Sequence, residues 1–106
     1  MAVVDIDREA LKRGLAAGEI RVIDVREPHE FEAGHIPGAV LFPLSSFDLD
    51  AFRALLAQDA RRPVVSCQSG NRSARLLEYL QGQGLDLAEH YGGGFKDWSA
   101  AGEPIE

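Results

Sequence analysis

The chain has 106 residues, enough for one domain burying roughly two-thirds of its unfolded surface. Its 45% hydrophobic and 26% charged residues are ordinary for a globular protein. A net charge of -6 argues against nucleic acid or an anionic membrane as the main partner, so an anionic substrate would need a local positive site. One cysteine excludes an internal disulfide and a four-thiolate zinc site. The opening MAVVDIDREA has no basic n-region, and no stretch approaches the ~20 apolar residues of a membrane span. A cytoplasmic protein of one domain, residues 1–106, is expected.

In chain order, Val3–Ile6 reads as a weak first strand, and Asp7 is placed to cap a helix running to about Ala17, with Ile6 and Leu11 at the positions of a hydrophobic staple. IRVIDV (Ile20–Val25) is a β-branched run of strand length that stops in charge and Pro28. A short helical turn and a loop with Gly34, Pro37 and Gly38 precede a third strand, Ala39–Phe42, stopped by Pro43. Leu49, Phe52, Leu55 and Leu56 have helical spacing, with Ser46 or Asp48 as cap. PVVSC forms a fourth strand, and Ala74, Leu76, Leu77 and Leu80 mark the apolar face of the next helix, ended by Gly82 or Gly84. Leu87–Tyr91 is a fifth strand before GGG, and Phe95–Ala100 a last short helix. Strands separated by helices predict an α/β fold: a mainly parallel five-stranded sheet with helices on both faces.

That topology gives Cys67 a place. In open α/β sheets ligands collect beyond the carboxyl ends of the strands. Cys67 sits at such an end, before a polar run with Gly70 and a helix from about Arg72. Backbone N–H groups of such a loop can converge as an anion nest, and the helix start adds its own unpaired N–H groups. Both lower a thiol pKa from ~8.5. The competing reading is a buried, inert thiol acting as a small hydrophobe. Gln68–Asn71 are poor core material, which favours the reactive site.

The loop Cys67-Gln-Ser-Gly-Asn-Arg-Ser73 resembles the active-site loop of rhodanese sulfurtransferases in their single-domain, thiosulfate-using form. IDVRE (Ile23–Glu27), EFEAGHIPGAVLFPL (Glu30–Leu44) and YGGGFKDW (Tyr91–Trp98) resemble the family's other recurring segments, in the same order. The resemblance implies a rhodanese-like domain. It also implies cofactor-free sulfur transfer: Cys67 takes sulfane sulfur from a small anionic donor such as thiosulfate. The resulting persulfide passes it to cyanide or to a thiol acceptor, a small molecule or a thioredoxin-like protein. Gln68, Ser69, Gly70, Asn71, Arg72 and Ser73 would then hold the substrate and the persulfide charge, with Arg72 orienting the donor or leaving sulfite. Gln68 is neutral where a common form of the loop has a basic residue.

Certain phosphatases and arsenate reductases share that scaffold but carry a loop one residue longer, so that an arginine clamps a tetrahedral oxyanion. Here four residues (Gln68–Asn71) separate Cys67 from Arg72, and Ser73 stands at the phosphatase arginine position. Ser66 precedes the cysteine where that class has histidine. A non-catalytic rhodanese-like binding or regulatory module is a third class, and such modules frequently lack the cysteine.

Among the other polar residues, Asp24 ends a strand beside the presumed site and is either a support for the cysteine loop, accepting its N–H or an arginine, or a turn residue. Arg26, and Glu27 beside it, either line the pocket or are solvated. His35 in GHIPG reads as a structural loop residue, and His29 and His90 share no metal-ligand spacing with it, so no metal is expected. Gly92–Gly94 lacks the lysine of a phosphate-binding loop and reads as a tight connection. Trp98 reads as core rather than pocket edge.

Overall fold

The computed structural model describes residues 2–106. Its elements are β1 (Val4–Ile6), α1 (Arg8–Ala16), β2 (Ile20–Asp24), α2 (Pro28–Ala33), β3 (Val40–Leu41), α3 (Leu49–Ala57), β4 (Arg62–Ser66), α4 (Asn71–Gly82), β5 (Glu89–Tyr91) and α5 (Gly94–Ala100), with a single 3₁₀ turn at Leu44–Ser46. The five strands form one sheet in the order β1-β5-β4-β2-β3, and every pairing is parallel.

Local chemistry sets the elements. Asp7 and Asp48 cap α1 and α3 by accepting from the N–H groups of Ala10 and Ala51. Ile6 and Leu11, expected as a staple, are both buried in one cluster. All five residues of the interior strand β2 are buried, as a strand covered on both faces requires. Alternation along the strands sends Ile20, Val22 and Val64 to one layer with Leu11 of α1 and Trp98 of α5. Ile23, Val65 and Cys67 go to the other, against Phe52 of α3 and Leu76, Leu77 and Leu80 of α4. The edge strands are short, β1 with 3 residues and β3 with 2, which limits unpaired backbone.

Boundaries differ from the sequence expectation at the rims. The third strand shrinks from Ala39–Phe42 to Val40–Leu41, although Phe42 N–H still donates to Asp24 O at 2.8 Å. The fifth shrinks from Leu87–Tyr91 to Glu89–Tyr91, while Ala88 O still accepts from Val4 N–H at 2.7 Å. In both cases single backbone bonds outlast the regular ladder. No helix among the described residues is long and apolar enough to cross a membrane.

Candidate active site

The site is built where β4 passes into α4. Cys67 follows the last residue of β4, and Gly70 turns the chain with φ 91 before α4 starts at Asn71. A side chain at Gly70 is excluded twice: by that positive φ, and because a Cβ would lie 2.4 Å from Gly92 O. The loop is pinned from the other side by α5. Phe95 N–H donates to Cys67 O at 2.9 Å and Lys96 N–H to Gln68 O at 3.0 Å. Gly94, with φ 65, makes that approach feasible, since a Cβ there would sit 2.6 Å from Cys67 O and 2.5 Å from Gln68 O. The glycine run therefore brings α5 against the cysteine loop.

Helix α4 has no side-chain cap from Gly70, and the thiol sulfur takes that role. Cys67 Sγ accepts from Gly70 N–H at 3.1 Å and from Ser73 N–H, one of the orphan donors of the first turn, at 3.4 Å. Ser73 Oγ lies 3.5 Å from the same sulfur. Cys67 is only 1% exposed and shares the apolar cluster under α4, as an inert thiol would. Its donors act in the opposite direction to that burial. Burial pushes the thiol up, but the Ser73 hydroxyl and the amides of Ser73, Ser69 and Gly70 together pull it further down, leaving Cys67 below the ordinary thiol value.

The remaining loop residues divide. Gly70 and Ser73 are buried against the sulfur, Ser69 and Asn71 are exposed, and Gln68 and Arg72 are half-buried. Gln68 Oε1 accepts from Arg26 Nη1 at 3.4 Å. Arg72 is engaged with Glu30 of α2: Nη1 donates to Oε1 at 2.8 Å and Nη2 to Oε2 at 3.0 Å. That guanidinium, against the cost of burial and with help from the Glu27 N–H, holds Glu30 down at about 2.

Asp24 and Arg26 form a buried ion pair beneath the loop, 4% and 2% exposed, with Nη2 donating to Oδ2 at 2.8 Å. Arg26 also donates to Gly34 O at 2.8 Å and lies 4.4 Å over the Phe95 ring. It is not solvated; it ties β2, α2, the cysteine loop and α5 together. Asp24 accepts from Arg26, and not from the loop's N–H groups. Glu27 closes a capping box with Glu30 at the start of α2. His35 is structural: it stacks on Phe31 with centroids 3.7 Å apart, and its Nδ1 lies 2.9 Å from Phe31 O. Trp98 is 4% exposed and donates to Pro104 O, so it is core.

Two residues at the site were not singled out from the sequence. Glu30 takes up the loop arginine, and His90 on β5 places Nδ1 2.7 Å from Ser73 Oγ. Both contacts join segments far apart in the chain, Glu30 of α2 with Arg72 of α4 and His90 of β5 with Ser73 of α4, and no local pattern signals either.

A parallel α/β domain with an amide-held cysteine at the end of a central strand is thus defined. The model of the rhodanese-like domain matches residues 7–101, and the chain belongs to that family. It is 37% identical over 83 residues to slr1261, an uncharacterized protein of Synechocystis sp. (strain PCC 6803), a match covering 78% of this chain and 45% of that one, so the chain spans under half of this relative's length. The human single-domain sulfurtransferase TSTD1 superposes with a TM-score of 0.70 at 29% identity, over 91% of this chain and 95% of that one. A Rhodopseudomonas palustris protein of unknown function, RPA3614, described as a possible tyrosine phosphatase, gives a TM-score of 0.76 at 27% identity over 98% and 85%.

Proposed function

We propose that the chain is a sulfurtransferase that carries sulfane sulfur on Cys67. The observation behind this is the set of donors converging on one sulfur: the N–H groups of Gly70 and Ser73, with the Ser73 hydroxyl beside them. In the first half-reaction the Cys67 thiolate attacks the outer sulfur of an anionic donor such as thiosulfate. The Sγ–S bond forms as the donor S–S bond breaks, and the leaving group (sulfite, for thiosulfate) keeps the electron pair. In the second, a thiolate or cyanide attacks the outer sulfur of the persulfide, and Cys67 leaves as thiolate. Backbone N–H groups aimed at the loop interior stabilise the persulfide anion without having to reorganise. The reduced thiol this needs suits the cytoplasm. Donor and acceptor are read here from chemistry: a small dianion and a thiol, from a small molecule or a thioredoxin-like protein.

The likeness to a possible tyrosine phosphatase makes hydrolysis of phosphate esters the second reading. Loop size weighs against it. A phosphoryl group brings three peripheral oxygens, each needing a donor, whereas a persulfide brings one anionic atom. Where the longer phosphatase loop would place its arginine, Ser73 is fully buried with its hydroxyl toward the sulfur. Arg72, one position earlier, points to Glu30.

Intact mass after incubation with thiosulfate tests the proposal. We expect a gain of one sulfur atom, removed by cyanide or a dithiol and absent in Cys67→Ser. Turnover of aryl phosphates without any persulfide would overturn it in favour of the second reading.

A further inference from the structure

Parallel register places Asp5 of β1 beside His90 of β5, and His90 beside Val65 of β4. Side chains in register share a face, here the one covered by α4, and Cys67 lies on it two residues beyond Val65. A chain of polar groups therefore crosses an otherwise apolar layer. Cys67 Sγ lies 3.5 Å from Ser73 Oγ, Ser73 Oγ 2.7 Å from His90 Nδ1, and His90 Nε2 2.5 Å from Asp5 Oδ1. Ser73 is 0% and His90 5% exposed, while the Asp5 side chain is 73% exposed and lines a surface cleft of about 370 Å³. The line begins in the core and ends in water.

We propose that Ser73, His90 and Asp5 form a proton relay that moves the Cys67 thiol proton equivalent onto His90, where Asp5 holds the resulting charge, and returns it. Hydrogen-bond chemistry sets its direction. A carboxylate only accepts, so His90 Nε2–H donates to Asp5. In the neutral ring Nδ1 then accepts the Ser73 hydroxyl at 2.7 Å, in preference to the more distant Gly70 O at 3.1 Å, leaving Oγ lone pairs toward the thiol. On ionisation the Sγ–H bond breaks and an Oγ–H bond forms; the original Oγ–H bond breaks and an Nδ1–H bond forms. The products are a thiolate, an intact serine hydroxyl free to donate to it, and an imidazolium held by Asp5. The reverse sequence delivers a proton when Cys67 leaves the persulfide as thiolate. His90 and Asp5 are positioning residues, acting on the sulfur through Ser73.

Of the other charges, Arg72 of α4 couples to Cys67 and is itself paired with Glu30. Along β5, Glu89 is paired with Arg62, and Tyr91 lies in the opposite layer, bonded to Asp97. Of α4, the Ser73 hydroxyl meets His90; of β1, the Asp5 carboxylate does.

The relay's use in turnover rests on the persulfide reading, but its effect on Cys67 does not, so the test needs no sulfur donor. The rate of iodoacetamide alkylation is measured across pH for the full native chain, His90→Gln and Asp5→Asn, with folding checked by circular dichroism. We expect His90→Gln to slow alkylation at neutral pH at least about threefold, moving the profile to higher pH, with the plateau of the fully ionised thiol unchanged. Asp5→Asn should move it the same way by less. A native profile in folded His90→Gln overturns the relay; should that variant not fold, a native profile in the exposed-site variant Asp5→Asn overturns it instead. Persulfide formation followed separately by mass can fail with the alkylation shift intact, and that result refutes sulfur transfer alone.

Discussion

Replacing Arg26 by alanine is expected to be among the costliest single changes outside the loop. The guanidinium is 2% exposed and makes three side-chain contacts with the Asp24 carboxylate, at 3.0, 3.1 and 2.8 Å. Its removal leaves a carboxylate 4% exposed with the Arg26 N–H as its remaining donor, and strips Gly34 O of the Arg26 bond. Breaking a buried pair from one side costs ~3–5 kcal/mol, a large share of the ~5–15 kcal/mol that holds a domain together. At ~4 °C or more per kcal/mol, the melting temperature should fall by about 12 °C or more. Urea unfolding of both proteins at neutral pH, followed by circular dichroism, reads the difference. The cost should lie in the orphaned charge more than in lost contact. The double variant Asp24→Leu, Arg26→Met should therefore recover at least about half of the loss, since apolar replacement of both partners is often near neutral. A loss under ~1 kcal/mol for Arg26→Ala, or a double variant less stable than the single one, would refute the reasoning.

Three further outcomes are expected. Gly94→Ala forces a Cβ to within 2.5–2.6 Å of the Gln68 and Cys67 carbonyl oxygens at φ +65, and should cost ~1–3 kcal/mol while slowing Cys67 alkylation; native stability in urea would contradict the pinning of the loop by α5. The Glu30 carboxylate, held at about 2 rather than 4.5, stabilises the fold above its unfolded value, and this contribution is lost as pH falls from 4.5 toward 2. The pair is partly exposed, so acid titration of Glu30→Gln should lack a limb of about 1 kcal/mol at most. The same variant frees Arg72, so KM for an anionic donor should fall with kcat changed less; an unchanged KM would show that Arg72 does not meet the donor.

The architecture was legible because its signals are local. β-Branched runs marked β2 and β4, Asp7 marked the cap of α1, Ser46 or Asp48 that of α3, where Asp48 caps, and a polar run with Gly70 marked the turn beside Cys67. The fate of the charged residues was not. Asp24 and Arg26 are separated by one residue, a spacing open equally to a solvated strand end and to a buried pair. What decides is the cover supplied from elsewhere: Phe95 of α5 over the guanidinium and Gly34 O beyond α2. Likewise Glu30 meets Arg72 across 42 positions and Ser73 meets His90 across 17. His90 follows a charged residue at the end of a short strand and read only as a residue without metal partners. Its meaning lies in the register that sets β5 between β1 and β4.

A negative sulfur on a chain of net charge -6 calls for positive potential, yet both arginines near the loop are already neutralised, Arg26 by Asp24 and Arg72 by Glu30. The sulfur is met instead by backbone N–H groups, and these would suit the proposed chemistry better. An N–H group carries partial charge and adds no mobile cation that a polyanion could bridge. It is also fixed by the fold, so in the proposed mechanism it would need no reorganisation as charge moves between thiolate and persulfide. The cost is that these donors work only while the loop keeps its shape. That explains why so much of the domain is spent on its back side: Gly94 and the first N–H groups of α5 on its carbonyls, Arg26 on the Gln68 side chain, and Gly70 where a Cβ would strike Gly92. With side-chain charge absorbed in ion pairs, an arriving anion must compete with Glu30 for Arg72. On the proposed mechanism, selectivity would then come from whether a donor's oxygens replace that carboxylate, and reactivity from a ring of amides whose size suits one sulfur.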